Sequence, residues 1–527
     1  MNPDRRDLLG ATAALLLPGA ANAGAPAAHA PAPTRHPPIE ERSLADLQAD
    51  MAVGRMSARR LVAAYAQRIR RIDRDGPRLA SVIELNPDAM AIAAALDEEL
   101  RSRGPRGALH GIPILIKDNI ATRDRMQTTA GSLALVGSRP PEDAAIVTRL
   151  RAAGAVILGK TNLSEWANIR SASSSSGWSA RGGLTRNPYA LDRSASGSSS
   201  GSAAATAASL CAAAVGTETD GSILSPASVC GLVGLKPTVG LLGASGIVPI
   251  AHSQDTAGPM ARSVRDCALL LGAMTDPPTD YATALDPDAL QGARLGVVRQ
   301  FFGFHAPSDR VYAAALRALE AAGATLVDPV VLPAIETLGD AELTVLLYEL
   351  KAGLDAYLAG LGGSARVKSL ADVIAFNERH AAREMPWFGQ ELFIKAQAKG
   401  PLTDAEYLDA RALCLRVAAT EGITAQLNAH RLDALIAPTG GPAWRIDLAL
   451  GDHFVGGSTT PAAVAGMPGI TVPAGAVHGL PLGLSFFAGA GSEARLLGLA
   501  HAFEQVTQAR RPPRYLDSID RDRVPAP

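Results

Sequence analysis

The chain has 527 residues and carries 50 Lys and Arg against 51 Asp and Glu, a formal net charge of −1. Aromatic residues make up 4% of it, so it has neither the basic surplus that neutralises phosphates nor the rings that stack bases, and nucleic-acid binding is excluded as its main work. Hydrophobic content of 47% excludes disorder for the bulk, and four cysteines cannot staple so long a chain, although one or two bridges stay open.

Residues 1–23 read as a signal peptide: a charged start with Arg5-Arg6, an apolar run to Leu17, then small residues ending at Ala23, with Ala30 as a second cleavage point. The arginine pair suggests twin-arginine export and a periplasmic or secreted protein. An Ala/Pro-rich linker follows over 24–38, then one large domain over 39–515 and a tail over 516–527. Apolar spacing behind Ser57 predicts a helix from there to Ile69, and another is expected after Asn86-Pro87 with Pro at its first position. Ile112 to Ile116 is a predicted strand ending at Lys117-Asp118-Asn119. A helix over Asp143 to Ala153 closes at Gly154, and Ala155 to Leu158 is the next strand. Strands alternating with helices predict an α/β fold with a buried sheet. Between about 275 and 430 long helical stretches dominate, such as Tyr312 to Ala322 and Glu342 to Leu358, and read as a helical flank on one core. Strands resume at Leu432 to Ala437 and Gly469 to Gly475. No stretch after the leader is long and apolar enough to predict a membrane span.

Gly154 to Thr161 fits the nucleotide-binding pattern GxxxxGK[ST] letter for letter. A phosphate loop needs a strand before its first glycine and a helix after it, whereas here a helix precedes and the intervening residues are themselves the strand. The segment therefore reads as a helix end followed by a core strand.

The run Ser194-Ala-Ser196-Gly197-Ser198-Ser199-Ser200-Gly201-Ser202 has the composition of a linker, yet it leads straight into an Ala-rich segment suited to close burial. Gly216 to Ser222 follows, and Gly221 before Ser222 permits a turn that projects the hydroxyl while backbone N–H groups face one point, as an oxyanion hole needs. A serine nucleophile needs a base. No GxSxG elbow is present, and His110 and His252 read as structural or mouth residues. A buried lysine is neutral enough to replace histidine, and Lys117, ending an apolar strand, fits that role.

At these residues the chain resembles the amidase signature family. The match takes in Gly111-Ile112-Pro113 to Asn119, Gly159 to Asn162, Ser196 to Ser202, Gly216 to Ser222, Gly234 to Thr238, Asp255 to Pro259, Gly466 to Pro473 and Gly479 to Gly483. Asn162 to Asn168, Ser176 to Gly183 and Phe388 to Glu391 look like the bacterial peptide amidases within that family. The resemblance implies a large mixed β-sheet covered by helices on both faces, and a Ser-cisSer-Lys triad of Ser222 as nucleophile, Ser198 as bridge and Lys117 as base. It also implies an oxyanion site on the N–H groups of Thr219, Asp220, Gly221 and Ser222. No cofactor or metal is expected, and the protein is expected to be a monomer or simple homodimer.

The chain departs from the family at Ser196, Ser200 and Asp220, where many relatives have Gly. Many relatives also carry an arginine shortly after the residue that follows the nucleophile, where this chain has Leu224, Ser225 and Pro226. A substrate without a carboxylate near the scissile bond is therefore favoured. The leading expectation is an exported hydrolase that releases ammonia from the C-terminal amide of peptides. Rivals are a broader amidase on small aliphatic or aryl amides, a periplasmic solute-binding protein and a glutamine-using amidotransferase subunit.

Overall fold

The computed structural model describes residues 38–520, so the expected signal peptide and most of the linker lie outside the described residues. In chain order the strands are β1 (Val82–Leu85), β2 (Pro113–Lys117), β3 (Val156–Thr161), β4 (Trp178–Ser179), β5 (Gly183–Leu184), β6 (Ala213–Glu218), β7 (Val233–Lys236), β8 (Thr256–Ala261), β9 (Arg294–Val298), β10 (Thr325–Val330), β11 (Ala434–Pro438), β12 (Gly469–Val477) and β13 (Leu480–Phe487). Eleven of them form one sheet in the order β1-β3-β2-β6-β8-β7-β12-β13-β11-β9-β10, while β4 and β5 pair separately. The sheet is mixed: β3, β2 and β6 are parallel, β6 to β11 run antiparallel through β8, β7, β12 and β13, and β11, β9 and β10 are parallel again.

Helices cover both faces, which is why β2, β3, β6, β7 and β8 are buried at every residue. One face packs Leu61, Val264, Leu271, Leu316 and Phe503 against sheet residues such as Ile114 and Ile470. The other carries the small-residue helices Ser200–Ala207 and Leu224–Val229, packed with Ile223 and Met260. Leu347, Leu354, Phe376 and Phe393 of the helical flank pack with Val248, Ile250 and Trp166.

The expected helix behind Ser57 spans Ala58–Arg68, with the Ser57 hydroxyl accepting from Arg60 N–H. The next helix is Ala89–Arg103, so Pro87 lies just ahead of it rather than at its first position, and Asp88 is its N-cap residue. Gly154 adopts φ +82° after the helix Ala145–Ala152, and Gly159, Lys160 and Thr161 are the last residues of the buried strand β3. The GxxxxGK[ST] match is thus a strand without a helix behind it. The region 275–430 is not helical throughout, because it supplies β9 and β10 at one end of the sheet. β10 has a single buried residue, Val330, and contains Pro329, so it lacks the apolar run by which a strand is recognised. All four cysteines are free, buried thiols. Among the described residues no helix is long and apolar enough to cross a membrane.

Candidate active site

Two central strands build the site from their carboxyl ends. β2 delivers Lys117 as its last residue, and β6 delivers Thr217 and Glu218 before turning into the loop 219–222. The segment Ser196–Ser199 lies across them and starts the helix Ser200–Ala207. Small residues permit this approach. A Cβ at Gly216 would come within 2.7 Å of Ser199 Oγ, and one at Gly201 within 2.3 Å of Ser81 O and 2.4 Å of Asn162 O. Two further bonds, Ser202 Oγ to Val215 O at 3.1 Å and to Thr161 Oγ1 at 2.8 Å, fasten the helix to the sheet.

Lys117 is wholly buried. Its Nζ lies 2.8 Å from Ser198 Oγ, 3.0 Å from Ser199 Oγ, 2.9 Å from Thr217 Oγ1 and 3.1 Å from Thr217 O. Burial lowers this amine to about 7, against a weaker opposing pull from the carboxylates of Glu218 and Asp255. The hydroxyls around it have separate duties. Ser199 Oγ donates to Thr217 O and accepts from Thr217 N–H, and Thr217 Oγ1 accepts from Asn119 Nδ2. A neutral amine that donates to Ser199 and Thr217 keeps its lone pair for the Ser198 hydroxyl. The peptide bond between Gly197 and Ser198 is cis.

Ser222 follows Gly221, whose φ of +74° is the left-handed turn that the glycine supplies. The Ser222 carbonyl accepts from Ser199 N–H at 3.1 Å, which holds the nucleophile candidate's backbone against the residue after Ser198. Among the described residues, the backbone N–H groups of Thr219, Asp220, Gly221 and Ser222 make no hydrogen bond within the chain. The structure therefore gathers Lys117, Ser198, the Ser222 loop and the three residues before it into one place.

Several residues of this constellation were not singled out from the sequence. Glu218, buried, uses Oε2 to accept from Ile223 N at 2.7 Å and Leu224 N at 2.9 Å, so it pins both ends of the 219–222 loop. Asp255 does the same for the neighbouring loop, accepting from Thr219 Oγ1 at 2.6 Å and from the N–H groups of Ile250 and Ala251. Ser199 and Thr217 lie inside quoted motifs, but which hydroxyl meets the lysine depends on the fold. His110 is buried with its ring against Leu96 O, and His252 is largely exposed with Nδ1 at 3.1 Å from Glu349, so neither approaches Lys117 through these contacts.

A cleft of about 390 Å³ opens beside the loops. Gly197 and Gly221, the residues before Ser198 and Ser222, line it together with Asp220, Asp452, Trp444 and Phe454. That volume is in the range of small-molecule sites.

The amidase family model matches residues 60–497. A probable amidase of Arabidopsis thaliana is 39% identical over 501 residues, covering 91% of this chain and 92% of the relative. Among solved structures, the native peptide amidase from Stenotrophomonas maltophilia is 52% identical with a TM-score of 0.86, covering 91% of this chain and 99% of that one. The peptide amidase bound to the competitive inhibitor chymostatin aligns with a TM-score of 0.88 at the same identity, covering 90% and 99%.

Proposed function

We propose that this chain, which belongs to the amidase family, hydrolyses the C-terminal carboxamide of peptides to the free acid and ammonia through a serine acyl-enzyme. The observation that carries the mechanism is the buried Lys117 amine hydrogen-bonded to Ser198, one residue from the backbone bond that holds Ser222. The peptide preference rests on similarity to the peptide amidase, together with the uncharged residues Leu224, Ser225 and Pro226 after the nucleophile.

In this reading Lys117 Nζ takes the Ser198 hydroxyl proton while Ser198 Oγ takes that of Ser222, and Ser222 Oγ bonds to the amide carbon. The carbonyl electron pair moves onto oxygen, where the free N–H groups of Thr219 to Ser222 receive it. When that pair returns, the C–N bond breaks. The proton held by Lys117 passes back through Ser198 to the nitrogen, which leaves as ammonia. Water then adds to the ester by the same relay, releasing the acid and restoring Ser222.

The test is ammonia release from peptide amides, glutamine, asparagine and small aliphatic amides by the parent and by Ser222→Ala. Peptide amides turned over by the parent alone support the proposal. Turnover of small amides only would remove the peptide preference, and full activity in Ser222→Ala would remove the mechanism.

A further inference from the structure

The cleft beside the nucleophile loop has an electrostatic character that hydrolysis of a neutral amide does not require. Its lining includes two carboxyl groups, Asp220 and Asp452, and no lysine, arginine or histidine. The two lie far apart in the sequence, so the fold brings them to one space.

Asp452 is fixed by its surroundings. Its oxygens accept from Ser176 N–H at 3.1 Å, and its Oδ1 accepts from Trp444 Nε1 at 3.0 Å. The neighbouring His453 turns its Nε2 to Asp447 instead, at 3.2 Å. Asp220 Oδ2 accepts from Thr460 Oγ1 at 2.6 Å, while its Oδ1 is buried and has no hydrogen-bond partner among the described residues. Neither carboxyl forms an ion pair among the described residues. Burial raises both above the usual carboxylate range, against weaker opposing pulls from their hydrogen bonds, from Lys236 on Asp220 and from His453 on Asp452. Glu342, which accepts from Gln254 Nε2 at 2.8 Å, has its own carboxyl pushed up to about 8 by burial and by Asp220, so at neutral pH it is mostly protonated and adds little charge.

The remaining wall is aromatic. Trp444 and Phe454 meet edge to face at 5.5 Å, both line the cleft, and Phe454 is 49% exposed. An aromatic face beside two carboxylates suits an ammonium group, which gains from the ring quadrupole and from the anions together.

We propose that this cleft selects amides bearing an ammonium group near the scissile bond, with Asp452 and Asp220 as the residues that set the preference. The proposal rests on the peptide-amide reading above and names the charge class of its substrate. The ammonium could be the chain's own N-terminus in a very short peptide or a lysine side chain, and the shared chemistry is the same.

The experiment measures kcat/KM for two matched pairs: glycyl-leucinamide against its N-acetyl form, and N-acetyl-lysinamide against N-acetyl-norleucinamide. A charged member at least about tenfold better than its neutral partner in either pair is expected, with the gap shrinking as salt is added. The pair that shows it identifies the source of the ammonium. Asp452→Asn should lower that ratio about tenfold, through KM, because it keeps the shape and the acceptor oxygen while removing the charge. A ratio does not depend on how much of the variant folds. Ratios at or below one in the parent, or a ratio unchanged in Asp452→Asn, would overturn the charge selection alone. Failure of all four amides to react would overturn the peptide-amide reading and this proposal with it.

Discussion

The protonation of Lys117 supplies the sharpest test of the site. An amine left at its ordinary value of 10.5 would be neutral in only about one molecule in 3,000 at pH 7, whereas burial to about 7 makes it neutral in about half. The fold thereby raises the fraction of competent base roughly a thousandfold at neutral pH. The expected kcat/KM profile rises about tenfold per pH unit below about 7 and levels off above it, since the neutral form is the active one. Lys117→Met, similar in length but unable to take a proton, should lose at least about a thousandfold and its acid limb with it. The same shift has a thermodynamic sign. The folded-state value lies below the unfolded one, so between about 7 and 10.5 the unfolded chain binds a proton that the folded chain does not, and stability rises with pH across that window. The full span is on the order of 5 kcal/mol, and Lys117→Met should remove that slope from a series of melting temperatures. An acid limb that survives in Lys117→Met, or an equal loss of activity in Lys160→Met, would refute the assignment.

Two further outcomes separate the roles around the lysine. Ser198→Ala should cost at least about tenfold more in kcat than Ser199→Ala, because the Ser199 hydroxyl is committed to Thr217 O; equal losses measured on the same amide would show that the relay does not run through Ser198 alone. Glu218→Ala leaves the N–H groups of Ile223 and Leu224 without their acceptor, so stability to urea should fall by about 2–5 kcal/mol and kcat should drop with little change in KM; unchanged kcat in the folded variant would show that the loop holds itself.

Much of this arrangement was legible in the sequence, and the parts that were not share a physical cause. Lys117 stood out because it closes an apolar strand, and Ser222 because a glycine precedes it; both signals are local. The partition of hydroxyls was hidden, since Ser199 and Thr217 are 82 and 100 residues from Lys117 and only the sheet brings them to it. Asp452, Trp444 and Phe454 belong to a loop without a motif, placed at the cleft by contacts such as Ser176 N–H to Asp452. β9 and β10 escaped for another reason, lying at the end of the sheet in a stretch dominated by helices.

Burial by itself does not single out the base. Lys117, Lys160 and Lys236 are all fully buried at strand positions, and desolvation lowers them to about 7, 8 and 8. Their partners differ. Lys160 bonds to Ile120 O and Thr128 Oγ1 and faces Asp118, while Lys236 bonds to the Pro237 carbonyl and faces Glu218 and Glu493. A carbonyl has no proton to give, and the Thr128 hydroxyl turns its own to Ile120 O. Lys117 alone among the three meets the Ser198 hydroxyl beside the Ser222 loop, so a lowered affinity for protons becomes a means of withdrawing one from a nucleophile. The nearby carboxylates of Glu218 and Asp255 oppose the loss of charge and keep the amine near 7 instead of lower, where it can both take the proton and return it to the departing nitrogen.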